Sequence, residues 1–191
     1  VESIEALARS KKGNFLVFFP SHQYLQQVYE SFAIKNPDID CIAQKSRMRE
    51  SERQDFIEAF CEDREQTLVG FAVMGGIFGE GIDLRGDRLS GAVIVGIGHP
   101  QICLEREIIK EYFAQTLETG YEYAYVYPGM IKVMQAAGRV IRSPEDRGVV
   151  LLIDERFRYP SYQSLFPPEW SHARKVSSCS SLSQILKAFW K

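Results

Sequence analysis

Three observations predict a three-layer α/β domain with a mainly parallel central sheet. Nearly unbroken apolar runs of strand length recur along the chain, at residues 14–20, 67–74, 89–97 and 149–153. Runs that lack polar alternation suit strands covered on both faces, as in parallel sheets. Stretches with helical periodicity separate these runs, and such alternation folds as one sheet between helical layers. The third observation is size: at 191 residues, 45% of them hydrophobic, the chain can fill the core of one ordinary domain.

Residues 1–13, where Ala6, Leu7 and Ala8 precede Arg9, Lys11 and Lys12, read as a short helix and a turn at Gly13, a connector into the domain. The run Asn14-Phe15-Leu16-Val17-Phe18-Phe19-Pro20 is the expected central strand. Ser21 follows at once and can cap a helix reaching about Ala33. Its hydroxyl and the first free N–H groups then sit at the carboxyl end of that strand, where open α/β sheets bind ligands. Ser21 therefore has two readings, a plain N-cap and a contact to a nucleic-acid phosphate, because helix N-termini hold anions. Residues 40–44 can form a short strand. Lys45, Arg47 and Arg49 lead into a helix with Phe56, Ile57 and Phe60 at helical spacing. These cations either solvate a helix start or line a nucleic-acid path.

The strand at 67–74 ends in Gly75-Gly76-Ile77-Phe78-Gly79-Glu80-Gly81-Ile82-Asp83. Four glycines in seven residues are costly to order, so the backbone there approaches something closely. After the strand at 89–97, His99 has no Cys, His or Asp companions in a ligand spacing and reads as a loop residue. Residues 104–117 show helical periodicity. Four tyrosines between 121 and 127 can stack bases or pack between helices.

The organising stretch is residues 127–143. Wound at about 100° per residue, Gln135, Arg139 and Arg142 share one face. Met130, Val133, Met134, Ala137, Val140 and Ile141 fall on the other side, in an arc the width of a buried stripe. Pro128 precedes the first turn and Pro144 biases Ser143 out of the α region, so the expected helix runs about four turns. Gly138 lies inside it beside the arginine face, where its cost of about 1 kcal/mol suggests close approach by a ligand. Gly148-Val149-Val150-Leu151-Leu152-Ile153-Asp154-Glu155 imitates a strand that carries a Mg²⁺ carboxylate. No G-x-x-x-x-G-K-[ST] loop occurs anywhere to complete that site, so it reads as a closing strand.

A formal net charge of −2 advertises no general basic field, and nucleic-acid binding must come from a local patch. Cys41, Cys61, Cys103 and Cys179 make no close ligand pair, which points to buried or free thiols in a reducing compartment. No apolar run is long enough to span a membrane and no signal-peptide pattern opens the chain, so the expectation is a cytoplasmic protein without membrane partners.

Gln135-Ala136-Ala137-Gly138-Arg139-Val140-Ile141-Arg142 resembles motif VI of superfamily 2 helicases in the form of the DinG/XPD branch. Phe78-Gly79-Glu80-Gly81-Ile82-Asp83-Leu84 resembles motif V, and Leu16-Val17-Phe18-Phe19-Pro20-Ser21 resembles motif IV. Asp154-Glu155-Arg156-Phe157 is similar to the end of the strand that follows motif VI in that branch. The resemblance covers about residues 14–170 and implies the second RecA-like domain of an ATP-dependent DNA helicase, with residues 171–191 a tail bearing a short helix.

It further implies catalytic roles for Arg139 and Arg142 as arginine fingers beside Gln135, and nucleotide contacts from Glu80, Gly81, Asp83 and Gly138. Single-stranded DNA would meet Ser21, Lys45, Arg47, Gly75 and Gly76. Motifs I and II are absent, so ATP and Mg²⁺ would be held mainly by the N-terminal helicase domain of a longer parent, which the resemblance gives a 5′→3′ polarity. Any iron–sulfur cluster of the family would lie in that other half. Two rival readings are a stand-alone nucleic-acid-binding module and a small-molecule α/β enzyme using the glycine loop.

Overall fold

Interior strands that are apolar on both faces must be sandwiched, and the observed layers follow from that. The computed structural model describes residues 1–80, 84, 86–141 and 146–191, without the side chain of Glu80. In chain order the elements are α1 (Glu2–Ala8), β1 (Asn14–Phe19), α2 (His22–Lys35), β2 (Asp40–Ala43), α3 (Glu50–Glu58), β3 (Leu68–Val73) and the single turn α4 (Ile77–Glu80). They continue with β4 (Gly91–Val95), α5 (Leu104–Leu117), α6 (Tyr127–Ala137), β5 (Val149–Ile153), the turn α7 (Pro160–Gln163) and α8 (Cys179–Phe189).

The strands pair in the order β2-β3-β1-β4-β5, all parallel. All six residues of β1 are buried, as its central place requires. Phe15, Val17 and Phe19 face a layer made by α1, α2 and α8, while Leu16 and Phe18 face α3 and α6. Each fully buried phenylalanine contributes about 2 kcal/mol to this sandwich. Residues 1–13 take part in it: Ile4, Leu7 and Ala8 of α1 are buried against β1 and α8. Trp190, just past α8, donates from its indole N–H to Ser10 Oγ at 3.0 Å.

The organising helix differs from its sequence pattern at both ends. A π-helical turn at Glu122–Val126 runs straight into α6, so the helical run starts well before Pro128. Proline lacks the N–H that would bond the carbonyl four residues back. That carbonyl, of Ala124, accepts instead from Arg106 Nη1 at 3.4 Å. Tyr125 in the π turn donates to Glu107 Oε1 at 2.6 Å, which pushes its pKa up to about 12. The Tyr123 ring stacks on Phe113 with centroids 4.0 Å apart. These tyrosines therefore pack α5 against the start of α6.

At the other end α6 stops at Ala137, and Gly138 is its C-cap with φ −65°. Arg139 and Val140 continue in tighter i→i−3 turns, with N–H bonds to Ala136 and Ala137. The glycine's poor helix propensity lets the chain turn there. The turn drives Val140 into the core against Gly148, where no side chain would fit beside it. Ile141, expected on the buried arc, is 45% exposed, and Ala136 is buried in its place.

Val140→Asp should destabilise the domain by more than about 3 kcal/mol, because a carboxylate would lose its water with no partner supplied. Thermal melting by circular dichroism checks this, and a melting temperature equal to wild type would contradict the burial.

Candidate functional site

Because all strands run parallel, their carboxyl ends meet at one edge of the sheet. Pro20 and Ser21 follow β1, Gln44 and Lys45 follow β2, and Met74 to Gly76 follow β3. Gly96 to His99 follow β4 and Asp154 follows β5. Backbone bonds lace this edge: Met74 N–H to Phe19 O at 2.8 Å, Gln44 N–H to Phe71 O at 2.8 Å and Gly96 N–H to Ile153 O at 2.9 Å. Gln44 Oε1 also accepts from Val73 N–H at 2.9 Å, closing the gap between β2 and β3.

The glycine loop after β3 leaves the sheet through Gly75, whose φ of +67° lies in the left-handed region that favours glycine. A Cβ there would also come within 2.9 Å of Lys132 Cε. The single turn α4 is nailed down by Phe78, fully buried with its ring 4.3 Å from that of Phe56. Gly79 then presents its carbonyl to Arg139, whose Nε donates at 3.0 Å. This bond joins two stretches sixty residues apart, those likened to motifs V and VI.

The remaining expected residues fall as follows. Ser21 is exposed and accepts from Tyr24 N–H at 3.3 Å, so its N-cap role is realised. Gln135 is exposed on α6, and Gly138 stands at the helix end rather than within it. Gly138 would place a Cβ only against carbonyls of its own turn, Met134 O at 3.3 Å and Gln135 O at 3.7 Å. Gly76 lies near Val73 O and Gln44 Nε2. Arg47 is exposed, and exposed Lys45 spends its charge on Glu52 at 2.8 Å. That bond, with a second from Arg49 N–H, holds the Glu52 carboxyl below its ordinary range. Glu80 ends α4, while Gly81, Asp83 and Arg142 lie outside the described residues.

Sequence reasoning did not single out Lys132 or the pairing of Asp154 with Arg156. Both Asp154 oxygens meet the guanidinium, Oδ1 with Nε at 2.8 Å and Oδ2 with Nη2 at 2.7 Å, which lowers the pKa of Asp154 and raises that of Arg156. A carboxylate so engaged is not offered to a metal, and the described residues hold no group of three His, Cys, Asp or Glu that could bind one. His99 is half-buried beside this pair, its backbone against Gly129, with Nε2 buried and unpartnered. Lys132 was in reach of the periodicity, three residues before Gln135 and seven before Arg139 on the same face.

Comparisons with known proteins show the family and the fold. A model of the helicase C-terminal domain matches residues 4–173. The chain belongs to the helicase C-terminal domain family. A regulator of telomere elongation helicase 1 homolog from Drosophila persimilis is 28% identical over 170 residues, covering 82% of this chain and 17% of its own length. The ATP-dependent DNA helicase CHL1 of Candida albicans is 25% identical over 167 residues, 78% of this chain and 20% of the relative. A solved XPD helicase is 25% identical with a TM-score of 0.65, over 85% of this chain and 29% of that one. The family's RecA-like fold thus accounts for the five parallel strands. The chain spans about a fifth of the length of the curated relatives it matches.

The His99 environment carries a pH prediction. Burial first, then the charges of Arg156 and Lys132, hold its pKa below the ordinary 6.5, outweighing Asp154. The fold therefore favours the neutral ring, and this contribution is fully present above pH 6.5 and lost as pH falls through the folded value. The melting-temperature difference between wild type and His99→Gln should be flat above about pH 7 and shift toward the variant below about pH 6.5. A difference independent of pH from about 5 to 8 would contradict this environment.

Proposed function

We propose that this chain is the C-terminal motor domain of an ATP-dependent DNA helicase, moving 5′→3′ on single-stranded DNA. The observation that carries the reading is the Arg139–Gly79 hydrogen bond, which joins the motif VI helix to the glycine loop in a chain whose family match spans residues 4–173. In this reading ATP lies in a cleft between this domain and an N-terminal helicase domain of the same parent. That partner supplies the phosphate loop and the carboxylates that hold Mg²⁺, for which the described residues here offer no donor cluster. When bound, the ion neutralises charge on the phosphates.

The residues of this chain then have separate tasks. Arg139 and Arg142 each offer a guanidinium fork that meets phosphate oxygens bidentately, neutralising charge that spreads over the transferred group. Gln135, exposed on the same face, orients the water or a phosphate oxygen. Asp83, Glu80 and Gly81 contact the nucleotide from the loop, and Gly138 gives it room. Ser21 with the first N–H groups of α2, the loop at Gly75 and Gly76, and exposed Arg47 hold the DNA backbone. Lys45 joins them only by leaving Glu52. Alternating closure and opening of the cleft moves the strand.

Two measurements test this. The isolated chain should hydrolyse no ATP above background, since it holds half a site; robust DNA-stimulated turnover would sink the reading. In a parent protein carrying both halves, Arg142→Ala should cut single-turnover hydrolysis by roughly 10³-fold or more, with lysine rescuing poorly. Arg139→Ala should do the same and also lower the melting temperature slightly, because it removes the bond to Gly79. Near-wild-type hydrolysis in both variants would refute the finger assignment.

A further inference from the structure

Lys132 is on the arginine face of α6 but works at a different place. It precedes Gln135 by three residues and Arg139 by seven, offsets of about 60° and 20° around the helix. Along the axis seven residues span about 10 Å. Arg139 Nε is bonded to Gly79 O, and Lys132 does not share that place. Its tail lies instead across the strand-end edge. A Cβ built on Gly75 would meet Lys132 Cε at 2.9 Å and Nζ at 3.4 Å, and one on Gly98 would meet Cδ at 3.3 Å.

Gly75 follows β3 and Gly98 follows β4, and the strand between those two is β1. The lysine therefore bridges the crossing point where the chain leaves β3, passes β1 and enters β4. Open α/β sheets bind ligands at such a point. The end of β1 leads into Ser21 and the N-terminus of the 14-residue helix α2, whose first turn holds no acidic residue. An ammonium and a set of free N–H groups thus flank one strand end.

Apart from exposed Arg47, the cations placed at this edge are engaged. Lys45 is bound to Glu52, Arg156 is forked onto Asp154, and Arg139 is bonded to Gly79. Among the described residues no carboxylate pairs with Lys132, and its charge instead disfavours protonation of His99. The two glycines make room for its aliphatic tail, which packs on them and sets the ammonium at the strand-end edge.

We propose that Lys132 binds a backbone phosphodiester of a single-stranded nucleic acid at the strand-end edge, beside the end of β1 that leads into α2. This rests on the helicase reading and deepens it, because α6 then touches the strand at Lys132 while the turn after it meets the nucleotide at Arg139.

The test uses Lys132→Met, which keeps the aliphatic tail over Gly75 and removes the charge, and Lys132→Arg, which keeps the charge. Binding of the chain to a fluorescent dT20 strand is followed by anisotropy between about 50 and 200 mM salt, and binding of a fluorescent ADP analogue is followed in a parent protein carrying both halves of the site. The methionine variant should melt as wild type does, bind dT20 roughly fivefold more weakly at the lowest salt, and lose roughly 0.7 from the salt slope. Arginine should restore both, and ADP binding should not change. If wild type binds no dT20, the nucleic-acid part of the helicase reading falls together with this inference. If wild type binds and the methionine variant matches it in slope, only this inference falls. Selective loss of ADP binding in the methionine variant would overturn it in favour of a nucleotide phosphate.

Discussion

Parallel pairing of β1 between β3 and β4 is the constraint on which the rest depends. Six consecutive buried residues leave β1 no solvent face, so helices must cover the sheet on both sides. Parallel strands need long crossovers, and these bring every strand back in at the same end. Ser21, Gln44, Gly75, Gly96 and Asp154, scattered over more than a hundred residues of sequence, consequently end up along one edge. The backbone bonds that lace this edge then make a rigid base, and side chains seated on it keep their spacing without further support.

The parts legible in the sequence are those in which a residue's neighbours along the chain decide its environment. β1 is an example: an unbroken apolar run bounded by Gly13 and Pro20 admits few other readings. Ser21 is another, because an N-cap depends on a residue three positions away. The end of α6 was less legible. Periodicity carries the apolar pattern through Ile141, yet the helix stops at Ala137, because Gly138 turns cheaply and Val140 gains a place against Gly148. A pattern drawn at 100° per residue cannot register a side chain that is buried by leaving the helix.

What the sequence concealed about the site is similarly long-range. The partner of Arg139 is a carbonyl sixty residues earlier, and a backbone acceptor leaves no trace in residue identity. The spending of Lys45 on Glu52 is hidden differently, since the seven-residue interval begins in a loop, where helical spacing says nothing about contact. Lys132 could have been found from the wheel, where it lines up with Gln135 and Arg139. Its place over Gly75 and Gly98 could not, because the sheet topology alone brings those two glycines to it.

Net charge bears on binding here less than its distribution does. A chain at −2 has no long-range attraction for a polyanion. At physiological salt, however, charges farther than about 8 Å are largely screened, so the groups within that radius of the edge dominate. Several exposed carboxylates are closed off by local cations, as Asp38 is by Arg9 and Glu52 by Lys45. Each such pair is close to neutral from outside. The edge then presents mainly the N–H groups at the start of α2, the ammonium of Lys132 and the exposed guanidinium of Arg47. A net charge of −2 therefore does not describe the strand-end edge, whose local charge is set by these few groups.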